Sequence, residues 1–182
     1  MQRRNAIRLT AALPFLAAGT SASAATSTIP KPSTAPAAEP FQLAFAPHGG
    51  MFKAHAGDRI LDQIQWAADM GFSAWEDNGM PNRTPELQAK IGNLLAKNNM
   101  RMGVFVANKI NWSKPTLVKG AGEHREEFLQ SIRDSVEVAK RCNAKWMTVV
   151  PGHVDLRLEP FYQFANVMET LKQGAAILEP HD

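Results

Sequence analysis

The chain has 182 residues, 45% of them hydrophobic, with 20 basic and 17 acidic side chains. That length fits one domain, and the composition is ordinary for a globular protein. Arg3, Arg4 and Arg8 lie in an N-terminal stretch without acids, so the remainder balances at 17 against 17 and carries no basic footprint for nucleic acid.

The N-terminus reads as an address. Arg3 and Arg4 precede an apolar run from Ala11 to Ala18 and the small residues Ser21-Ala-Ser-Ala24. A charged start, an apolar middle and an Ala-x-Ala cleavage site define an export signal, here residues 1–25. The adjacent arginines point to the twin-arginine route and the periplasm. The apolar run is too short to cross a bilayer, so no membrane span is expected after its removal. Residues 26–40 hold Pro30, Pro32, Pro36 and Pro40 among Ala, Ser and Thr, and read as an extended linker. A single cysteine, Cys142, excludes an intrachain disulfide, and its place at a helix end marks it as a packing residue.

From residue 41 onward, strand and helix alternate. Phe41 to Pro47 is short, apolar and bounded by prolines, so a buried first strand is expected. Asp58 is placed to cap a helix with Ile60, Ile64, Ala67 and Ala68 on one face, and Gly71 to stop it. Phe72 to Glu76 is the second strand. Thr84 and Pro85 open the next helix, striped by Leu87, Ile91, Leu94 and Leu95 and ended by Asn98 and Asn99. Met100 to Val106 is the third strand. A helix from about Glu123 to Arg141 presents Phe128, Ile132, Val136 and Ala139 inward. Ala144 to Val150 is the fourth strand, and a last helix from about Glu159 to Leu178 carries Phe164, Val167, Met168, Leu171 and Ile177. Trp75 and Trp146, inside strands, are expected in the core.

Four strand–helix units in succession make an α/β domain with parallel strands. No G-x-G-x-x-G follows the first strand, which argues against a dinucleotide fold. Helix-to-strand loops are short, whereas strand-to-helix loops are long and hold the polar and aromatic residues. That asymmetry belongs to an α/β barrel, whose working face is built by the loops at the C-terminal ends of the strands. A full barrel needs eight units and about 250 residues. Residues 41–182 are therefore expected to form the N-terminal half, about four βα units, of a TIM (β/α)8 barrel.

The same asymmetry selects the candidate pocket. Glu76 ends the second strand, where a carboxylate can reach a substrate hydroxyl or a catalytic neighbour; the bland alternative is an ion pair with Arg83 or Lys53. His48 follows the first strand beside two glycines and suits substrate contact or proton relay. Asn108 and Trp112 lie in the longest loop, the tryptophan as an apolar wall over a small substrate or as a packing anchor. His153, with Asp155 nearby, follows the fourth strand. A His-x-Asp spacing is too weak to define a metal site.

Several stretches together resemble the hydroxypyruvate isomerase branch of the xylose isomerase-like sugar isomerase and epimerase superfamily. They are Phe45-Ala-Pro-His48-Gly-Gly-Met-Phe-Lys53, Gly71-Phe-Ser-Ala-Trp-Glu-Asp-Asn-Gly-Met80, Met102-Gly-Val-Phe-Val106, Val136-Glu-Val-Ala-Lys-Arg141, Ala144-Lys-Trp-Met-Thr-Val-Val-Pro-Gly152 and Ala176-Ile-Leu-Glu-Pro180. The resemblance implies proton transfer through an enediolate on a small hydroxy-carbonyl or sugar substrate, with a divalent metal in many intact members. The family's catalytic carboxylates and metal ligands lie on strands five to eight. No catalytic or metal-ligating residue is therefore assigned here, and His48, Glu76, Asn108, Trp112 and His153 are carried only as pocket lining. The expected function is an isomerase or epimerase of which this chain is an inactive portion. The alternative is a non-catalytic half-barrel that forms a homo-oligomer or binds a sugar-like ligand. A third use of the same fold, cleavage at apurinic sites, is disfavoured by the balanced charge and the export signal.

Overall fold

The structure, a computed structural model, describes residues 38, 39 and 41–181. The expected signal and, apart from Ala38 and Glu39, the expected linker lie outside the described residues. Five α-helices and two short strands are defined among them. They run α1 (Lys53–Ala56), α2 (Ile60–Asp69), β1 (Ala74–Trp75), α3 (Pro85–Lys97), β2 (Arg101–Met102), α4 (Glu123–Cys142) and α5 (Pro160–Leu178).

Local chemistry sets most helix ends. The Thr84 hydroxyl accepts the Leu87 N–H at 3.4 Å and Pro85 occupies the first turn, which starts α3. Asn98 caps its far end, and Asn99 adopts a left-handed φ of 54°. Asn143 ends α4 in the same conformation. Gly71 follows α2 with φ 86°, and a Cβ there would lie 2.7 Å from the Glu39 carbonyl oxygen, so only glycine fits. The Asp58 cap is not formed. The helix begins after Arg59, and Asp58 instead pairs with Lys53 of α1 at 3.2 Å in an exposed ion pair.

The strands run in chain order, all parallel. β1 pairs with β2 through Ala74 beside Arg101 and Trp75 beside Met102. Single bridges extend the pairing outward: His48 beside Glu76 on one side, Val106 beside Thr148 on the other. The Glu76 N–H donates to the Pro47 carbonyl at 2.9 Å, and the Thr148 N–H to the Phe105 carbonyl at 2.8 Å. Each helix packs on the next: α2 on α3, α3 on α4, α4 on α5. One core cluster joins Ile64 of α2, Ile91 and Leu95 of α3, Phe128 and Ile132 of α4, and Trp75, Met102 and Phe105 of the sheet. Each such buried side chain contributes roughly 1.5–3 kcal/mol. The helices thus cover one face of a four-segment parallel sheet.

Three expectations are corrected. The first strand is not buried: Phe41, Leu43 and Phe45 are exposed, and its pairing is reduced to the His48 bridge. It is an edge segment with no neighbour on its outer side among the described residues. Trp146, expected in the core, is 73% exposed, while Trp75 is 0% exposed. Met147 and Val149 pack toward the helices, and strand alternation places Trp146 on the opposite, uncovered face. In α5, Phe164 and Met168 are exposed; the buried line instead runs through Gln163, Thr170 and Gly174, flanked by Val167 and Leu171.

Candidate functional site

Parallel pairing puts the C-terminal ends of all four segments, and so all the long loops, at one end of the sheet. His48 and Glu76 are direct neighbours there, opposite each other in a bridge. Neither alternative ion pair of Glu76 forms. Lys53 is taken by Asp58, and Arg83 grips the buried Asp77 through both Nε and Nη2. Glu76 is half-buried and accepts one hydrogen bond from the Asn78 amide at 2.8 Å, which leaves its second oxygen available. His48 is exposed, with Nδ1 3.0 Å from the Gly49 carbonyl oxygen.

The other candidates are placed differently. Asn108 is buried, and its amide is spent on the fold: Nδ2 donates to the Val150 carbonyl and Oδ1 accepts the Val150 N–H, both at 2.9 Å. It stands in for one rung of the ladder between the third and fourth segments and offers little to a ligand. Trp112 is 75% exposed, so it is not a packing anchor for its loop. His153 is exposed, bridges to Pro115 and has Nδ1 2.8 Å from the Val154 carbonyl oxygen. Asp155 is bound by the Arg157 side chain and by the Arg157 N–H, and these bonds hold its carboxyl below the usual carboxylate range. Cys142 is buried, and burial pushes its thiol up, away from nucleophilic use.

Sequence reasoning missed the residues that shape the loops. Gln63, Gln88 and Gln163 are each the fourth residue of their helix, and each is buried. Gln63 accepts the Gly50 N–H and donates to the Gly57 carbonyl, both at 2.8 Å. Gln88 donates to the Met80 and Arg83 carbonyls at 3.0 Å and accepts from Arg141. Gln163 accepts the Asp155 N–H at 2.9 Å and donates to the Asp155 and Leu158 carbonyls. One amide from the following helix thus pins the backbone of three of the four long loops. The signal was present as a glutamine one turn into each helix, on the apolar side.

The larger cavity, about 630 Å³, opens beside Pro151, Leu156, Leu158 and Phe164, away from His48 and Glu76. Among the described residues no group of three or more His, Cys, Asp or Glu side chains could hold a metal ion. Asp77 and Asp155 are committed to arginines and are not free donors for a metal. Among the same residues no helix is long and apolar enough to cross a membrane.

A crystal structure of D-psicose 3-epimerase with D-tagatose from Clostridium cellulolyticum H10 superimposes with a TM-score of 0.54 at 11% identity. The match covers 66% of this chain and 43% of that one. The fold is a partial TIM barrel. The chain spans less than half the length of that epimerase, and at this identity the likeness is one of fold. No protein-family model matches the chain, and no curated protein matches it.

Proposed function

We propose that this partial barrel is the N-terminal strand–helix portion of a hydroxypyruvate isomerase-like enzyme, exported to the periplasm by residues 1–25. Its substrate is a small hydroxy-carbonyl compound or sugar. A base takes the proton from the carbon beside the carbonyl, an enediolate forms, and the proton returns at the neighbouring carbon. The observation that supports this reading most is the Glu76–His48 pair at the C-terminal end of parallel strands in a fold shared with a sugar epimerase. Glu76, with one unoccupied carboxylate oxygen, accepts a hydrogen bond from a substrate hydroxyl, and His48 lines the same rim. The base, and the ligands of any divalent metal, belong to strands beyond the fourth.

Residues 38–181 alone therefore turn nothing over. An assay on hydroxypyruvate and on a ketohexose, with divalent metal, tests this on the chain itself and on the chain joined to the last four units of the epimerase barrel. Turnover by the chain alone overturns the division of labour. In an active joined form, Glu76→Gln is expected to raise KM about 10- to 100-fold, as loss of a charged hydrogen bond of about 1.5–3 kcal/mol requires. An unchanged KM removes Glu76 from the pocket.

A further inference from the structure

Asn78-Gly79 is the one place in the chain where asparagine precedes glycine. Asn78 is exposed, and its Nδ2 donates to Glu76 Oε1 at 2.8 Å, the single hydrogen bond that the Glu76 side chain accepts among the described residues. Gly79 stands where the fold asks for no glycine. Its φ of −90° and ψ of 7° form a turn conformation compatible with most residues. A Cβ there would meet only Asp77 Oδ1, at 3.6 Å, an ordinary contact. What glycine does supply is a main-chain nitrogen with no side chain beside it. Every other asparagine precedes a residue with a Cβ.

We propose that Asn78-Gly79 is a spontaneous modification site, converted by water to aspartate or isoaspartate, and that the change strips Glu76 of its hydrogen-bond donor. The Gly79 nitrogen gives up its proton and attacks the Asn78 Cγ. The new N–Cγ bond closes a succinimide ring as the Cγ–Nδ2 bond breaks, and Nδ2 leaves as ammonia with that proton. Water then opens the ring. Cleavage between the Gly79 nitrogen and Cγ returns an ordinary main chain with aspartate in place of Asn78. Cleavage between that nitrogen and the Asn78 carbonyl carbon leaves the chain running through Cγ, as isoaspartate. Nothing is oxidised or reduced. Two hydrogen bonds set the pace: Asn78 must leave Glu76, and the Gly79 N–H must leave Asp77 Oδ1, which accepts it at 3.2 Å. The first is exposed and the second half-buried, so neither needs the core to open. Both products replace the amide donor with a carboxylate, and like charges at hydrogen-bond distance repel. Isoaspartate also adds a carbon to the main chain between Asp77 and Gly79, which loosens the turn that Asp77 holds. The conversion rests on local geometry; only its effect on a substrate rests on the role proposed for Glu76.

The test incubates the folded 182-residue chain at mildly alkaline pH and reads its peptides by mass spectrometry. The peptide holding Asn78 is expected to gain the mass of an amide-to-acid exchange several-fold faster than any other asparagine peptide. It is also expected to become a substrate for an isoaspartyl methyltransferase. Gly79→Ala is expected to lose both changes over the same period, with circular dichroism unchanged because its Cβ has room. Asn78→Gln, whose longer side chain closes its ring far more slowly, is a second variant expected to lose them. Conversion of Asn78 no faster than that of its fellows overturns the inference, and so does equal conversion in Gly79→Ala. The effect on Glu76 is read in Asn78→Asp, where the Glu76 carboxyl signal in carbon-detected NMR is expected to move. An unmoved signal overturns the link to Glu76. No readout here needs turnover, so the conversion and the proposed activity fail separately.

Discussion

Asn108 shows how a residue with the right address can have another occupation. It sits in a long strand-to-helix loop, which recommends it for ligand binding. Its carboxamide instead replaces a strand rung to Val150. Asn108→Ala is expected to lower unfolding stability by about 1–3 kcal/mol, because the half-buried Val150 N–H and carbonyl each lose their partner. Urea unfolding measures it. Asn108→Asp costs more, since a carboxylate then faces the Val150 carbonyl. A stability unchanged in both variants would return Asn108 to the pocket. Glu76 and His48 were legible because position alone names them. Gln63, Gln88 and Gln163 were not: a polar residue in an apolar stripe looks like helix surface until its backbone partners are known.

At the scale of elements, helices were more legible than strands. Thr84-Pro85 and Gly71 carry their own stereochemistry, so the ends they set fall where the sequence puts them. The two inner strands, β1 and β2, are only two residues each, and the outer segments keep single bridges to them. Trp146 was misplaced because alternation says which residues share a face, not whether anything covers it. A close approach of two helices was also hidden. A Cβ on Gly92 of α3 would lie 2.6 Å from the Arg141 carbonyl oxygen and 2.8 Å from the Cys142 Cα of α4. Both are backbone, so neither yields easily. Gly92→Ala is expected to force the helices apart and cost about 1–3 kcal/mol, despite alanine's better helix propensity. A thermal midpoint at or above that of the wild type would show that α3 and α4 can separate freely.

For the whole molecule, the sheet order and the placing of the helices on one face follow from parallel strands joined by right-handed crossovers. The extent of the uncovered surface does not follow from them, because it depends on which strands have partners.

The glutamine anchors carry a consequence for how such a scaffold diversifies. Gln63, Gln88 and Gln163 hold their loops by main-chain atoms of Gly50, Gly57, Met80, Arg83, Asp155 and Leu158, not by side chains. The loop's route is written in the helix, and its side chains are left to vary. New substrate preferences can therefore arise by exchanging residues along a fixed path, with the cost in stability confined to the exchange itself.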